Sequence, residues 1–298
     1  MDLKMPLTVE EQISRLIEHK MDIANVDSAK RFLAEINYYR FTGYALQFRD
    51  VENQDDYAIG TKFEDVVRLY QFDSSLRCTL KPHLDTIELY ARTQIAYGFS
   101  LSKCLDPPHD QHYEPSNFYN ESSHSEIITS SLAREQINNK DSLFVIHHLA
   151  KYNGKMPLWV IVELLSFTNL SKLYRAMYYS EQDVIAKRMG TSSATLSNHL
   201  HCLSNLRNKV AHAGRLYNTA FNPPVVLGRK YLQRHSDTRA DTLFAYILAM
   251  MRRLPNIADR ASLVMAIINA VSVYADCVRL PLLGFPDRYA QLLSDSIM

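Results

Sequence analysis

Apolar residues recur along this chain at intervals of three and four, the period of a helix that buries one face. In TVEEQISRLIE the stripe is Ile13, Leu16 and Ile17, and Thr8 with Glu11 three residues on forms a capping box, so a helix is predicted over 8–19. Ala29, Phe32, Leu33 and Ile36 predict a second over 27–38. The period fails in NYYRFTGYALQF (37–48), whose aromatic residues and Gly43 suggest a turn or a short strand pair. It returns as a helical pair over 63–78 and 80–100, the second with Leu84, Ile87, Leu89, Ala91 and Ile95 inward. CLDPPHDQHYEPSNFYNESSH (104–124), with three prolines and many polar residues, reads as a surface excursion. Helices are then predicted over 125–138, 141–152, 157–168, 170–179, 181–189, 193–212, 237–253 and 255–279, with FNPPVVLGRK (221–230) a connector and LLGFP (282–286) the end of the fold. The predicted class is all-α.

Composition narrows the chemistry. With 298 residues, 47% of them hydrophobic, the chain can bury a large core. Only 8 glycines argue against a turn-rich β fold, and neither GxGxxG nor GxxxxGK[ST] occurs. Lys plus Arg is 33 against 32 Asp plus Glu, a net charge of +1, so contact with nucleic acid has to come from a local patch. Four single cysteines without a CxxC pair, an N-terminus without an apolar signal region, and no apolar run near the roughly 20 residues of a membrane span predict a reduced, cytoplasmic, membrane-free protein.

Three groups of residues invite a functional reading. Cys104, His109 and His112 cluster, but one Cys and two His lack the paired spacing of a zinc site and read as surface polar residues; no metal and no cofactor is expected. IAKRMGTSSATLSNHLHCL (185–203) fits either a plain helical hairpin with Gly190 in its turn or a helix-turn-helix reading DNA through Ser193, Thr195, Asn198 and His199. Glu88 and Arg92, four apart, and Glu163 stand among apolar residues, either as structural ion pairs or as the polar lining of an internal site.

A fourth region of interest is LRNKVAHAGRLYN (206–218). On one helix Asn208 and His212 overlie each other within about 40°, whereas Arg207 and His212 diverge by about 140°. A histidine can take a proton from a ribose 2′-OH or give one to a leaving 5′-oxygen, and a guanidinium can hold the phosphate between them. The same residues also suit a surface ion pair and a histidine at a helix C-terminus.

RNKVAH resembles the Rx4–6H signature of HEPN ribonucleases. Extended to RLYN, it resembles the RNxxAHxxRLWN segment of the Abi family, bacterial abortive-infection proteins of the AbiD/AbiF type. LTVEEQI (7–13), NYYRFTGYALQF (37–48), LYQFDSSLR (69–77), IELYAR (87–92), LWVIVELLSFTNLSKLY (158–174), TLFAYILAMMRRL (242–254) and GFP (284–286) resemble the family's other blocks in the same order. Two positions depart: Ala213 stands where a second histidine is common, and Tyr217 where the family has Trp.

The resemblance implies an all-helical, metal-independent endoribonuclease of the toxin or phage-defence type, acting as a homodimer on RNA, with an RNA or protein antitoxin. It places Arg207 and His212 as the catalytic pair with Asn208 beside them. Lys209, Arg215, Glu88, Arg92 and Glu163 are expected to line the cleft and meet RNA. The expected organisation is an N-terminal helical segment (1–59), a HEPN-like core (60–220) and a C-terminal helical segment (221–298). A non-catalytic RNA- or partner-binding module of the same fold is the competing reading.

Overall fold

The computed structural model describes Leu3 and residues 5–297. The fold is all-α, 67% helical, with no strand among the described residues. Two compact units are present, and their division runs through a single long helix. The first unit extends to Cys78 and takes in Ala266–Arg279; the second comprises Thr79–Met265 and the chain from Leu280 on.

The first unit begins with α1 (Val9–Glu18), α2 (Val26–Glu35) and α3 (Tyr38–Ala45), followed by the first turns of α4 (Phe63–Lys103). Thr8 and Glu11 close the capping box at α1 as the spacing predicts, while Ile17 lies outside the buried stripe of Ile13 and Leu16. The 37–48 stretch is a helix and neither a turn nor a strand pair. Asn37 accepts from the Tyr39 amide to start it, and Phe41, Tyr44 and Ala45 bury one face at the helical interval. Phe41 stacks on Phe63 with ring centroids 4.6 Å apart, and Phe32 meets both edge-on. Beneath them the buried Tyr44 hydroxyl donates to Asp73 Oδ2 at 2.7 Å, and Arg77 pairs with the same carboxylate.

The predicted helical pair over 63–100 is one continuous 41-residue helix with Pro82 inside it. Its later turns bury Leu84, Ile87, Ala91 and Ile95 at intervals of three and four, and Leu89, off that rhythm, is exposed. In the second unit a helical run over 121–138 joins α5 (Glu121–His124) to α6 (Leu132–Asn138) through a π-helical segment. Then follow α7 (Leu143–Tyr152), α8 (Leu158–Ile161), α9 (Phe167–Ala176), α10 (Tyr179–Arg188), α11 (Ser193–Ala211), α12 (Arg229–Arg234), α13 (Leu243–Arg253), α14 (Ile257–Val273) and α15 (Tyr289–Asp295). The chain therefore continues past LLGFP into a further helix. Gly98 lets α4 approach α10: a Cβ there would collide with the Ile185 side chain.

Residues 104–124 are no loose surface loop. His112 and His124 are fully buried, and Cys104 nearly so. His112 Nε2 lies 2.9 Å from the Met156 carbonyl, His124 Nε2 bonds the His112 carbonyl, and His124 stacks on Phe118. The histidines here satisfy backbone carbonyls that proline-rich loops leave without helical partners. Cys104 lies 3.7 Å from His112 Nδ1 by its sulfur, and all four cysteines are free. Among the described residues no group of three or more His, Cys, Asp or Glu is placed to hold a metal, and no helix is long and apolar enough to cross a membrane.

The predicted hairpin of α10 and α11 is present, with Gly190 left-handed (φ 65°) in its turn and Ser192 capping Thr195. Its second helix does not offer the side chains a helix-turn-helix needs. Asn198 donates to the Pro224 carbonyl and accepts from the Val226 amide, and His199, fully buried, meets the Val226 carbonyl at 3.0 Å. The extended 221–228 connector thus covers the face that would enter a groove.

Burial lowers the proton affinity of both His112 and His199, each to about 4. The unfolded chain binds these protons below about 6.5 and the folded chain does not, so native stability is complete above that pH and falls as pH drops toward 4. Urea unfolding midpoints at pH 7.5 and 5.0 test this: each histidine should contribute a slope of up to about 1.4 kcal/mol per pH unit. Equal midpoints would show that neither histidine is held neutral by the fold.

Candidate functional site

Three consecutive residues near the end of α11 point, about 100° apart, to three different neighbours. Arg207 Nε lies 3.1 Å from Glu88 Oε2 on α4; Asn208 donates its amide to Thr168 Oγ1 on α9 at 3.0 Å; the Lys209 ammonium sits 5.8 Å from the centre of the Phe221 ring in the connector. The final turns of α11 are therefore fixed on several sides by the residues of the motif itself.

Glu88 is the hub. Only 4% of its side chain is exposed, and its two oxygens are divided between two arginines, with Arg92 Nη2 at 2.7 Å from Oε1. Arg92 reaches further, donating through Nε to the Val162 carbonyl (2.9 Å) and through Nη2 to the Leu165 carbonyl (2.8 Å). Those carbonyls belong to a short 3-10 turn, Val162–Leu164, and the extended residue after it, the break that separates α8 from α9. A buried carboxylate shared by two guanidinium groups offsets the desolvation that a lone charge would suffer.

Arg207 is the more exposed of the pair, 34% against 13% for Arg92. Its terminal nitrogens have no hydrogen bond among the described residues, and it lines two cavities. One, about 330 Å³, also takes in Arg92, Arg134, Glu135, Glu163 and Asn169. The other, about 130 Å³, is closed by Lys81, Leu84, Asp85, Val210 and Ala211, with Lys81 paired to Asp85 at 2.8 Å. Arg207 is thus held by one edge and open at the other, a geometry suited to binding an anionic oxygen.

His212 is the C-cap of α11, its amide bonded to the Asn208 carbonyl at 3.0 Å, and its exposed side chain has no hydrogen-bond partner among the described residues. The chain then turns through Ala213 (φ 52°) and Gly214, whose amide returns to the Lys209 carbonyl at 2.7 Å. Arg215 follows that turn, half-buried. The structure brings together Arg207, Glu88 and Arg92, with exposed Glu163 on the rim of the same cavity. No contact joins Asn208 to the His212 side chain among the described residues. Arg134, Glu135, Asn139 and Asn169 were not singled out in the sequence. They come from α6 and α9, and no motif or spacing connects them to Arg207.

In a comparison with protein families, the model for Abi-like proteins fits residues 31–218. That covers more than half of the chain, which belongs to this family. No curated protein and no solved structure matches it. The matched region contains Glu88, Arg92, Glu163 and the whole 207–218 segment.

The ion-pair hub is open to a direct stability test. Glu88→Ala leaves Arg92 buried without its carboxylate and is expected to cost about 3–5 kcal/mol. Asn208→Ala removes one neutral hydrogen bond and should cost about 1 kcal/mol. Denaturant unfolding of both variants would refute the hub role of Glu88 if the two losses came out equal.

Proposed function

We propose that this chain is a metal-independent endoribonuclease of the HEPN type acting in abortive infection, with Arg207 and His212 as its catalytic pair. The observation that carries the reading is the preset guanidinium of Arg207: pinned by Glu88 at Nε, open at its terminal nitrogens, and on the same helix that ends at an exposed histidine. Family membership supports the abortive-infection role, and the RNKVAH segment supports the ribonuclease chemistry.

In this mechanism the 2′-oxygen of a ribose attacks the adjacent phosphorus as its proton is removed. The bond from phosphorus to the 5′-oxygen breaks, that oxygen takes a proton, and the products are a 2′,3′-cyclic phosphate and a 5′-hydroxyl. Arg207 binds the charge that grows on the non-bridging oxygens, and His212 moves a proton as general base or acid. Asn208 keeps α11 seated on α9 so that Arg207 does not drift. Lys209 and Arg215 extend the positive surface along the strand.

The active unit is a homodimer in which two copies of α11 meet antiparallel about a two-fold axis. On one helix Arg207 and His212 diverge by about 140°, and a second copy supplies the missing partner to each. It also brings a second Arg207 and a second His212 to one cleft. A non-catalytic module is the competing reading, favoured by one observation: the Arg207–Glu88 pair is also what a purely structural ion pair looks like.

His212→Ala is the cleaner variant. It should lower cleavage in the presence of EDTA by a factor of about 10² or more without changing the melting temperature. Arg207→Ala should abolish cleavage too, but with a loss of stability, because Glu88 then keeps Arg92 alone. Mixed heterodimers of the two variants should regain part of the activity through one composite site. Wild-type protein that binds RNA without turnover would leave the non-catalytic reading standing, and activity that EDTA removes would overturn the metal-free mechanism.

A further inference from the structure

A third cavity, about 500 Å³, opens beside the N-terminal half of α11. Arg175 from the end of α9, Tyr179 and Gln182 from α10, and Ser193, Ser197 and His201 from α11 line it. No carboxylate does, in contrast to the cavity beside Arg207, where Glu135 and Glu163 stand on the rim. The two acidic residues that flank Gln182 are engaged elsewhere, Asp183 with Lys187 at 2.7 Å and Glu181 with Lys103 at 3.5 Å.

Three of the lining side chains are uncommitted: among the described residues Arg175 has no ion pair, and Ser197 and His201 have no side-chain hydrogen bond accepted or donated. Gln182, by contrast, is spent on the Met177 and Arg175 carbonyls. The Tyr179 ring is 71% exposed. Burial and the neighbouring Arg175 charge both lower the proton affinity of His201, which leaves its ring neutral, with one donor and one acceptor, at physiological pH.

Helix geometry ties this cavity to the motif. His201 and His212 are eleven residues apart, which puts them within about 20° of the same face of α11 and about 16 Å apart along its axis. Asn205 and Asn208 fall on the stripe between them, each bonded to a flanking segment, Asn222 on one side and Thr168 on the other. The stripe is a polar track of a length that a few nucleotides of extended strand would follow.

We propose that the Arg175–Tyr179–His201 cavity is a subsite for single-stranded RNA, holding a backbone phosphate and an unstacked base several nucleotides away from the bond positioned at Arg207. The Arg175 guanidinium takes the phosphate through two parallel hydrogen bonds, Ser197 and the His201 ring meet phosphate or ribose oxygens, and the Tyr179 ring stacks on the base. This subsite rests on the RNA-directed reading above, and it supplies the positive, carboxylate-free surface that the Arg207 cavity lacks.

The test uses the full chain and a fluorescent 12-nucleotide single-stranded RNA carrying 2′-O-methyl groups, which cannot undergo transesterification, so binding is read independently of cleavage. Arg175→Ala and His201→Asn should fold as the wild type does, since neither side chain is hydrogen-bonded or ion-paired among the described residues; circular dichroism and melting confirm it. Arg175→Ala should weaken binding about tenfold and reduce the slope of log affinity against log salt by about one contact. Tyr179→Ala should weaken binding with the salt slope unchanged, since stacking carries no counterion release. Ultraviolet cross-linking should join the RNA to Tyr179.

If the wild type binds the RNA and all three variants bind it equally well, the subsite is refuted while the ribonuclease reading survives. If the wild type cuts no RNA but these variants lose binding, the subsite stands and the catalytic reading falls. A mononucleotide arm separates the two sources of phosphate. If AMP alone binds wild type and not Arg175→Ala, while RNA binding is the same in both, the cavity serves free nucleotides and the strand proposal is overturned.

Discussion

The Glu88 carboxylate is nearly removed from water, and only close positive charge offsets the cost of placing it there. Arg92 and Arg207 supply that charge from two helices, one oxygen each. The consequences spread outward from this point. Arg92 spends two further donors on the Val162 and Leu165 carbonyls, at the place where the chain leaves a 3-10 turn and before Ser166 caps the start of α9. Arg207, gripped by one edge, keeps its terminal nitrogens for something else. The interaction therefore sets three things at once: where α11 lies against α4, where α8 gives way to α9, and how the motif's arginine is aimed.

Elsewhere in the second unit, buried polar side chains serve the backbone. His124 satisfies the His112 carbonyl in the proline-rich 104–124 segment, His112 that of Met156 ahead of α8, and Asn198 and His199 carbonyls of the 221–228 connector. Both segments lack regular structure over much of their length, so their carbonyls and amides have no helical ladder to complete them. A histidine that is depressed in proton affinity and bonded to a carbonyl is a neutral structural donor, which removes these residues from the list of acids, bases and metal ligands. The exposed His212 and the half-buried His201 are different in kind: neither is committed to the backbone, and both lie on one face of α11. Arg175, on α9, stands beside His201 in a carboxylate-free cavity, and Arg207, on a different face of α11, stands beside a shared buried carboxylate.

The period of the apolar residues was enough for the helical class, for the Thr8–Glu11 capping box, for the α10–α11 hairpin with Gly190 in its turn, and for α11 itself. Those features are local: a cap and a buried stripe are written in residues within two turns of each other. The same local reading failed at 37–48, where aromatic crowding and Gly43 masked a helix whose buried face is filled by Phe63 and Tyr70 from α4. It failed at 79, where the predicted pair over 63–78 and 80–100 is one continuous helix that contains Pro82. It failed again at 104–124, where polar composition suggested solvent and His112 and His124 are buried.

At the site, the sequence determined the identities and order of Arg207, Asn208, Lys209 and His212, and the four-residue spacing of Glu88 and Arg92. Both follow from helical periodicity over short separations. Only the tertiary structure decided that Glu88 answers Arg207 across more than a hundred residues of chain, that Asn208 is bonded to Thr168, and that Arg134, Glu135 and Asn169 share a cavity with the motif. It also decided that Arg175 and His201 stand together in a cavity without a carboxylate. Such pairings arise from the way helices pack, and the packing is set by the whole buried surface, so no short window of sequence contains them.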